Sequence, residues 1–180
     1  LSCLVPADDR LVFKGGTCLA KVHAGFYRLS EDLDFVISTQ VDASRSSRSR
    51  SVSAIKEVLV SLPDELGDFR LVKPLTGANN STQYIAVVGY RSLLADQGEI
   101  IKMEVGLREP LIEPPFEGSA QTILLNPVSG KPMVQPLIVP CIDFDEGMAE
   151  KFRAALTRRE VAVRDFFDIG RNGVCHALFP

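Results

Sequence analysis

Tryptophan is absent from the 180 residues, histidine occurs twice and cysteine four times. Cys3, Cys18, Cys141 and Cys175 include no C-x-x-C pair, and only His23 and His176 could complete a zinc site. The sequence therefore argues against a disulfide framework and against structural zinc, and it predicts a reducing, cytoplasmic setting. Long apolar runs are also missing. No stretch approaches the roughly 18 apolar residues of a membrane-spanning helix, and the first residues lack the basic-then-apolar order of a signal peptide, so no membrane partner is expected. A basic excess is lacking too: the net charge is -3, which argues against a surface given over wholly to nucleic acid and leaves room for a local basic patch. The chain starts at Leu1 without a methionine and closes on Phe179-Pro180, which reads as a piece of a longer gene product with flanking helices beyond it.

What is present is the composition of a globular protein, 46% hydrophobic and 24% charged, at a length that supports one domain rather than two. Leu11, Val12 and Phe13 form a short apolar run that stops at Gly15-Gly16, after which Thr17 is predicted to open a helix: strand, tight turn, helix. From Asp32 to Ile37 the pattern alternates, with Leu33, Phe35 and Ile37 on one face and Asp32 and Asp34 on the other, the period of a half-buried strand. Ser44 to Ser53 has no apolar period and reads as a mobile loop, whose Arg45, Arg48 and Arg50 could track a phosphate backbone. Ile55, Val58, Leu59 and Leu62 predict a helix that Pro63 stops. Tyr84 to Tyr90, and a segment in which Ile101, Met103 and Val105 alternate with Lys102 and Glu104, predict two strands paired across Asp96-Gln97-Gly98. Thr122 to Leu125 and Leu137 to Val139 are expected as short edge strands. Beyond Asp145, Met148, Phe152, Ala155 and Leu156 predict an amphipathic helix. A second apolar cluster of Val161, Val163, Phe166, Phe167 and Ile169 continues it or starts a following helix, before Gly170 and Gly173 break the pattern. Mixed strands with helices make an α+β domain the expectation.

Asp32 and Asp34 are the most informative pair. Residues two apart on a strand point the same way, so two carboxylates stand side by side and repel unless a cation lies between them. Magnesium takes one or two carboxylates together with phosphate oxygens, which suits an ion escorting a nucleoside triphosphate. The glycine turn at Gly15 and Gly16 permits close backbone approach, and its N–H groups at a helix start can cradle phosphate, although the spacing is not that of a Walker A loop. Glu104 adds a third carboxylate on a strand whose other face is apolar; three acids above one sheet could hold one or two magnesium ions for in-line displacement. A plain ion pair with Lys102 is the competing reading of Glu104. On an unbroken helix Lys151, Arg158 and Asp165 would share a stripe, where Lys151 could bind phosphate as a point charge; Arg164 and Asp168 have the spacing of an i,i+4 pair. His23 and His176 are isolated and are assigned no catalytic role.

The string Phe13-Lys14-Gly15-Gly16-Thr17, followed by Arg28-Leu29-Ser30-Glu31-Asp32-Leu33-Asp34-Phe35, resembles the first two motifs of the AbiEii/AbiGii nucleotidyltransferase toxins, a branch of the polymerase-beta-like nucleotidyltransferase superfamily. Glu104 in Ile101-Lys102-Met103-Glu104-Val105 is similar to the third-carboxylate motif, with glutamate where aspartate is common. Ala149-Glu150-Lys151, Arg158 and Arg164-Asp165-Phe166-Phe167-Asp168 resemble the closing helical motif. The resemblance spans Phe13 to Asp168, with no family signature from Val41 to Glu99. It implies a polymerase-beta-like fold: a mixed β-sheet with flanking helices, a nucleotidyltransferase core at 1–144, and a helical C-terminal part of the same unit, cut short, at 145–180. Position by position it implies that Gly15, Gly16 and Thr17 hold triphosphate, Ser30 lies beside it, and Asp32, Asp34 and Glu104 bind magnesium. It further implies that Lys151 contacts phosphate or nucleotide and that Asp165 supports the site from the helical side. An NTP substrate, transfer to RNA such as tRNA 3′ ends, a cognate antitoxin and a place in phage defence are the further expectations. Transfer to a protein or small molecule, and a module that binds nucleotide without turnover, are the competing ones.

Overall fold

The structure, a computed structural model, describes residues 1–92, 98–108 and 110–172. Seven strands form one mixed sheet: β1 (Val12–Lys14), β2 (Leu33–Ser38), β3 (Phe69–Ala78), β4 (Gln83–Arg91), β5 (Gly98–Arg108), β6 (Phe116–Ala120) and β7 (Leu137–Cys141). Their order across the sheet is β3-β4-β5-β2-β1-β7-β6. The α+β class follows, as the sequence predicts. The pairing of β4 with β5 is antiparallel as expected; Asp96 and Gln97 lie outside the described residues, and Gly98 opens β5. The sequence misplaces the edge strands. β7 is paired on both sides, by β1 and β6, and Thr122 to Leu125 forms only a bridge at Leu125 to Pro132.

Alternation along the central strands separates two faces. Phe35 registers with Val105, Ile37 with Leu107 and Phe13 with Phe35, so one face is apolar and buried; the rings of Phe13 and Phe35 lie 5.4 Å apart. The helix α3 (Ser53–Glu65) adds Ile55 and Leu59 to that core. On the other face Lys14 registers with Asp34, and Asp34 with Glu104. The residues in between are thus obliged to be polar where the sheet meets the site.

Three expectations are corrected here. The serine and arginine tract is not a loop but a helix, α2 (Arg45–Ser51), with no buried residue. The Ser44 hydroxyl caps it by accepting from the Ser47 N–H at 3.2 Å, so end chemistry rather than an apolar stripe holds it. Pro63 does not stop α3, which runs on to Glu65. Near a helix C-terminus a proline forfeits only one hydrogen bond with few turns left to disturb. The helix beginning at the glycines starts at Gly15 rather than Thr17: α1 (Gly15–Cys18) continues as a wider π turn from Leu19 to His23.

At the C-terminal side α4 (Phe144–Thr157) is capped by the Asp143 side chain, which accepts from the Asp145 and Glu146 N–H groups. It ends at Arg158 in extended backbone, and from Val163 on the second apolar cluster belongs to a separate helix, α5 (Val163–Asn172), so Lys151, Arg158 and Asp165 do not lie on one unbroken helix. Gly170 lies inside α5, and Gly173, Cys175 and His176 lie outside the described residues. No helix among the described residues is long and apolar enough to cross a membrane.

Candidate active site

A cleft of about 240 Å3 opens where the polar face of the sheet meets α1, α4 and α5; Gly15, Gly16, Ser30, Asp32, Asp34, Glu104, Lys151 and Asp165 all line it. Sequence positions 15 and 165 therefore face one space, and the reason is the sheet: β1, β2 and β5 are neighbours, so residues far apart in the chain take adjacent positions.

Gly15 cannot be replaced without moving the acids. Its φ is +75°, and a Cβ there would stand 2.3 Å from Asp34 Oδ2. The Asp34 carboxylate lies directly over the glycine turn. At Gly16 a Cβ would stand 2.5 Å from Arg28 Nη2 and 3.2 Å from Ser30 Oγ. The two glycines thus make room for a carboxylate on one side and a guanidinium on the other.

Thr17 is the candidate whose side chain is turned away from the cleft. Buried, its hydroxyl lies 2.9 Å from Ser30 Oγ and donates to the main-chain carbonyl of Asp32. It ties the first turn of α1 to the approach of β2, holding the glycine turn against the aspartates.

Asp34 is crowded. Burial first, then the charges of Glu104 and Asp32, push its carboxyl above the ordinary range, and Lys14 and Lys102 only partly offset them. Glu104 carries the ion pair that competes with a role in the cleft: Lys102 Nζ lies 3.3 Å from Glu104 Oε2, with side chains 45% and 27% exposed. A pair so open to water is weak and does not withdraw Glu104 from the cleft.

The opposite wall is a network of buried charges. Asp168 is fully buried and receives Arg28 Nε at 2.5 Å, Arg28 Nη2 at 2.7 Å and the Tyr27 hydroxyl at 2.7 Å. Lys151 Nζ lies 3.0 Å from Asp168 Oδ2 and 3.2 Å from Asp165 Oδ1, and Arg158 Nη1 lies 2.7 Å from Asp165 Oδ2. Burial pushes the Asp168 carboxyl up, but the bonds from Arg28, Tyr27 and Lys151 outweigh it and hold it at about 2. Lys151 thus meets Asp165 through the turn between two helices, not along one stripe, and Asp168 takes Arg28 as its partner in place of Arg164.

Asp168, Arg28, Lys14 and Glu150 are the residues that the sequence left without a role. Lys14 Nζ forms an ion pair with Glu150 Oε2 across the cleft, from β1 to α4. A signal for Asp168 was present: on α5 the buried positions are Asp165, Asp168 and Ile169, an i, i+3, i+4 stripe with acids in it, while Phe166 and Phe167 are about half exposed. His23 accepts no catalytic geometry; its Nε2 lies 3.2 Å from the Ile142 carbonyl and its ring packs between Phe116 and Phe144.

The signature of the family described as nucleotidyl transferase AbiEii toxin, type IV TA system, matches residues 1–171. Among solved structures, JHP933 from Helicobacter pylori is similar with a TM-score of 0.55 at 19% identity, over 93% of this chain and 60% of that one. A second H. pylori structure, of a candidate nucleotidyltransferase, gives a TM-score of 0.56 at 19% identity, over 93% of this chain and 62% of that one. The fold is therefore shared, and the chain spans about 60% of the length of the solved structures it matches. A stretch of 22 residues is 73% identical to part of the 3-isopropylmalate dehydratase large subunit of Geobacter metallireducens; at 5% of that protein, it speaks for neither fold nor function.

Proposed function

The chain belongs to the AbiEii nucleotidyl transferase toxin family of type IV toxin–antitoxin systems, and on that premise we propose a magnesium-dependent nucleotidyltransferase that moves a nucleoside monophosphate from an NTP to the 3′ end of an RNA. A tRNA end is the acceptor the resemblance favours, the cytoplasm the place of action, and a cognate antitoxin the restraint. The single observation that carries this reading is the Asp34 carboxylate lying over Gly15 with Glu104 as its register partner. It joins an acidic wall to a turn whose N–H groups suit phosphate.

The acids fit magnesium. Carboxylates crowded enough to raise the Asp34 pKa gain from a cation. Among the described residues no three metal-ligating side chains form a ready-made cage, and magnesium commonly binds through one or two carboxylates, substrate phosphates and its own waters. Asp32 and Asp34 would hold it, with Glu104 on the acceptor side. Once bound it neutralises phosphate charge and lowers the pKa of an attacking hydroxyl.

The chain's own groups do the rest. The first-turn N–H groups of Gly15, Gly16 and Thr17 lie at a helix start, where such groups lack partners within the helix, and donate to triphosphate oxygens, with Ser30 beside them. Lys151, oriented by Asp165 and Asp168, presents charge from the helical wall. The acceptor oxygen bonds to the α-phosphorus, the bond from that phosphorus to the bridging oxygen breaks, pyrophosphate leaves, and the hydroxyl proton passes to Glu104 or to water.

The test incubates full-length folded protein with magnesium, each α-labelled NTP in turn, and a mixture of total tRNA and cell protein. Label is expected on RNA. Label on protein would replace the acceptor, and no label from any NTP would overturn the reading.

A further inference from the structure

A second cavity, of about 820 Å3, shares Glu104, Gly106, Glu150 and Arg153 with the first. Its other walls come from α2, from the turn between β3 and β4, and from Pro110 to Ile112. Ligand pockets run to about 300–1,000 Å3, so this one has room for a nucleotide or two of single strand and none for a duplex.

Its charges are unevenly satisfied. Glu146 accepts the N–H groups of Ile112 and Glu113 at 3.1 and 3.0 Å, and Glu150 pairs with Lys14. Arg48 and Arg153 have no ion-pair partner among the described residues. Arg48 Nε is shut off from solvent without a hydrogen-bond partner, a costly arrangement for a charged donor. The turn on the rim is strained as well: Asn79, Asn80 and Ser81 have φ of 48°, 56° and 61°, three consecutive non-glycine residues in the left-handed region. Thr82 and Gln83 on the same rim offer uncharged donors and acceptors, and Leu111 and Ile112 offer an apolar wall for a base.

We infer that this cavity seats the acceptor as a single-stranded RNA end, with Arg48 and Arg153 gripping the phosphodiester next to the terminal ribose so that its 3′ hydroxyl reaches Glu104 at the shared wall. The inference rests on the transferase reading and assigns it a second site. With Glu146 bonded to main-chain N–H groups and Glu104 and Glu150 paired with lysines, the charged groups here left without an ion-pair partner among the described residues are the cations Arg48 and Arg153. RNA is favoured over a protein side chain because these match an anion beside the hydroxyl; a serine or tyrosine acceptor brings none. It also gives the arginine-bearing helix, which buries nothing in the core, a task.

The experiment compares the wild type with Arg48→Gln and Arg153→Gln in the full-length protein. It measures binding of a fluorescent short oligoribonucleotide ending in a 3′ hydroxyl across a salt series, binding of NTP with magnesium by calorimetry, and transfer of label. Each variant is expected to weaken oligonucleotide binding roughly tenfold and to reduce the slope of log affinity against log salt by about 0.7, one phosphate contact. NTP affinity should stay at the wild-type value in Arg48→Gln, since Arg48 lines the second cavity and not the first, and Arg48→Lys should restore much of the salt slope. Wild-type oligonucleotide affinity and salt slope in both variants, with NTP bound and label transferred, would overturn this inference alone. Loss of labelling on protein rather than on RNA would reassign the cavity to a protein acceptor and overturn it too. Absence of NTP binding and of transfer in the wild type would instead sink the transferase reading on which it stands.

Discussion

Two pairs of carboxylates, one on the sheet and one on α5 behind the opposite wall of the cleft, have opposite fates. Asp34 with Glu104 lies on the sheet, short of positive charge, and the Asp34 pKa is raised. Asp165 with Asp168 lies on α5, surrounded by Arg28, Lys151 and Arg158, and Asp168 is held at about 2. Burial is common to both and so cannot explain the difference; the supply of cations from the protein does. The satisfied pair is a clamp that docks α5 and aims Lys151. The unsatisfied pair is a wall whose acids Lys14 and Lys102 offset only in part, and on the proposed reading magnesium supplies the rest.

The largest break in that contrast is Asp34→Ala. If Asp34 holds magnesium as proposed, transfer should fall by about a thousandfold or more, since a metal ligand in such a site contributes several kcal/mol. Stability should hold within about 1 kcal/mol or rise, because a repelled group is removed. A melting curve run beside the labelling assay checks both, and wild-type turnover would refute the metal assignment. Asp168→Asn should act in reverse. Arg28 and Lys151 lose a buried counter-charge, at a cost of about 3–5 kcal/mol in denaturant unfolding. A variant as stable as the wild type would show that the clamp carries no load.

The same contrast explains what could be read in the sequence. The acidic wall was legible because strand alternation is local: Leu33, Phe35 and Ile37 mark the buried side and leave Asp32 and Asp34 on the other. The glycine turn and Glu104 were legible for the same reason. The clamp was not, because Arg28 and Asp168 meet across 140 residues and nothing within a helical window announces so distant a partner. The apolar cluster of α5 is divided as a result: Ile169 is buried with two aspartates, while Val163 and Phe166 are 76% and 48% exposed. Likewise Phe152 and Leu156 of α4 are exposed and only Met148 of that stripe is fully enclosed. The serine and arginine helix escaped because its support is a cap and a neighbouring turn, neither of which leaves a hydrophobic period.

Acid should protonate the wall before it takes the clamp apart, with opposite effects on stability. Asp168 has a folded pKa below its unfolded one, so its contribution is fully present above about pH 4 and is lost as the pH falls through about 2. That loss amounts to about 2 kcal/mol. Asp34 has the opposite sign: its folded pKa is raised, so its ionisation opposes folding at neutral pH and acid relieves it. Urea unfolding at stepped pH should show stability falling between about pH 4 and 2, and Asp168→Asn should flatten that limb. A limb of undiminished slope in the variant would assign acid sensitivity elsewhere.

The smallest change sharpens the contrast most, because it alters the charge on the wall while leaving every acid in place. Lys102 is the cation nearest Glu104, at 3.3 Å, and it also lowers the Asp34 pKa, though less than burial and the two neighbouring acids raise it. In Lys102→Met an exposed pair is lost, so stability should change by less than about 1 kcal/mol. Asp34 meanwhile loses an offsetting charge and its pKa rises further. A proton then competes with magnesium at a higher pH, and the acid limb of the transfer rate should move upward in pH while the plateau rate, where Asp34 is fully ionised, is retained. A limb that stays in place would mean that Asp34 ionisation does not gate the reaction; a limb that moves ties the rate to a carboxylate whose neighbouring lysines offset its burial and the nearby acids only in part.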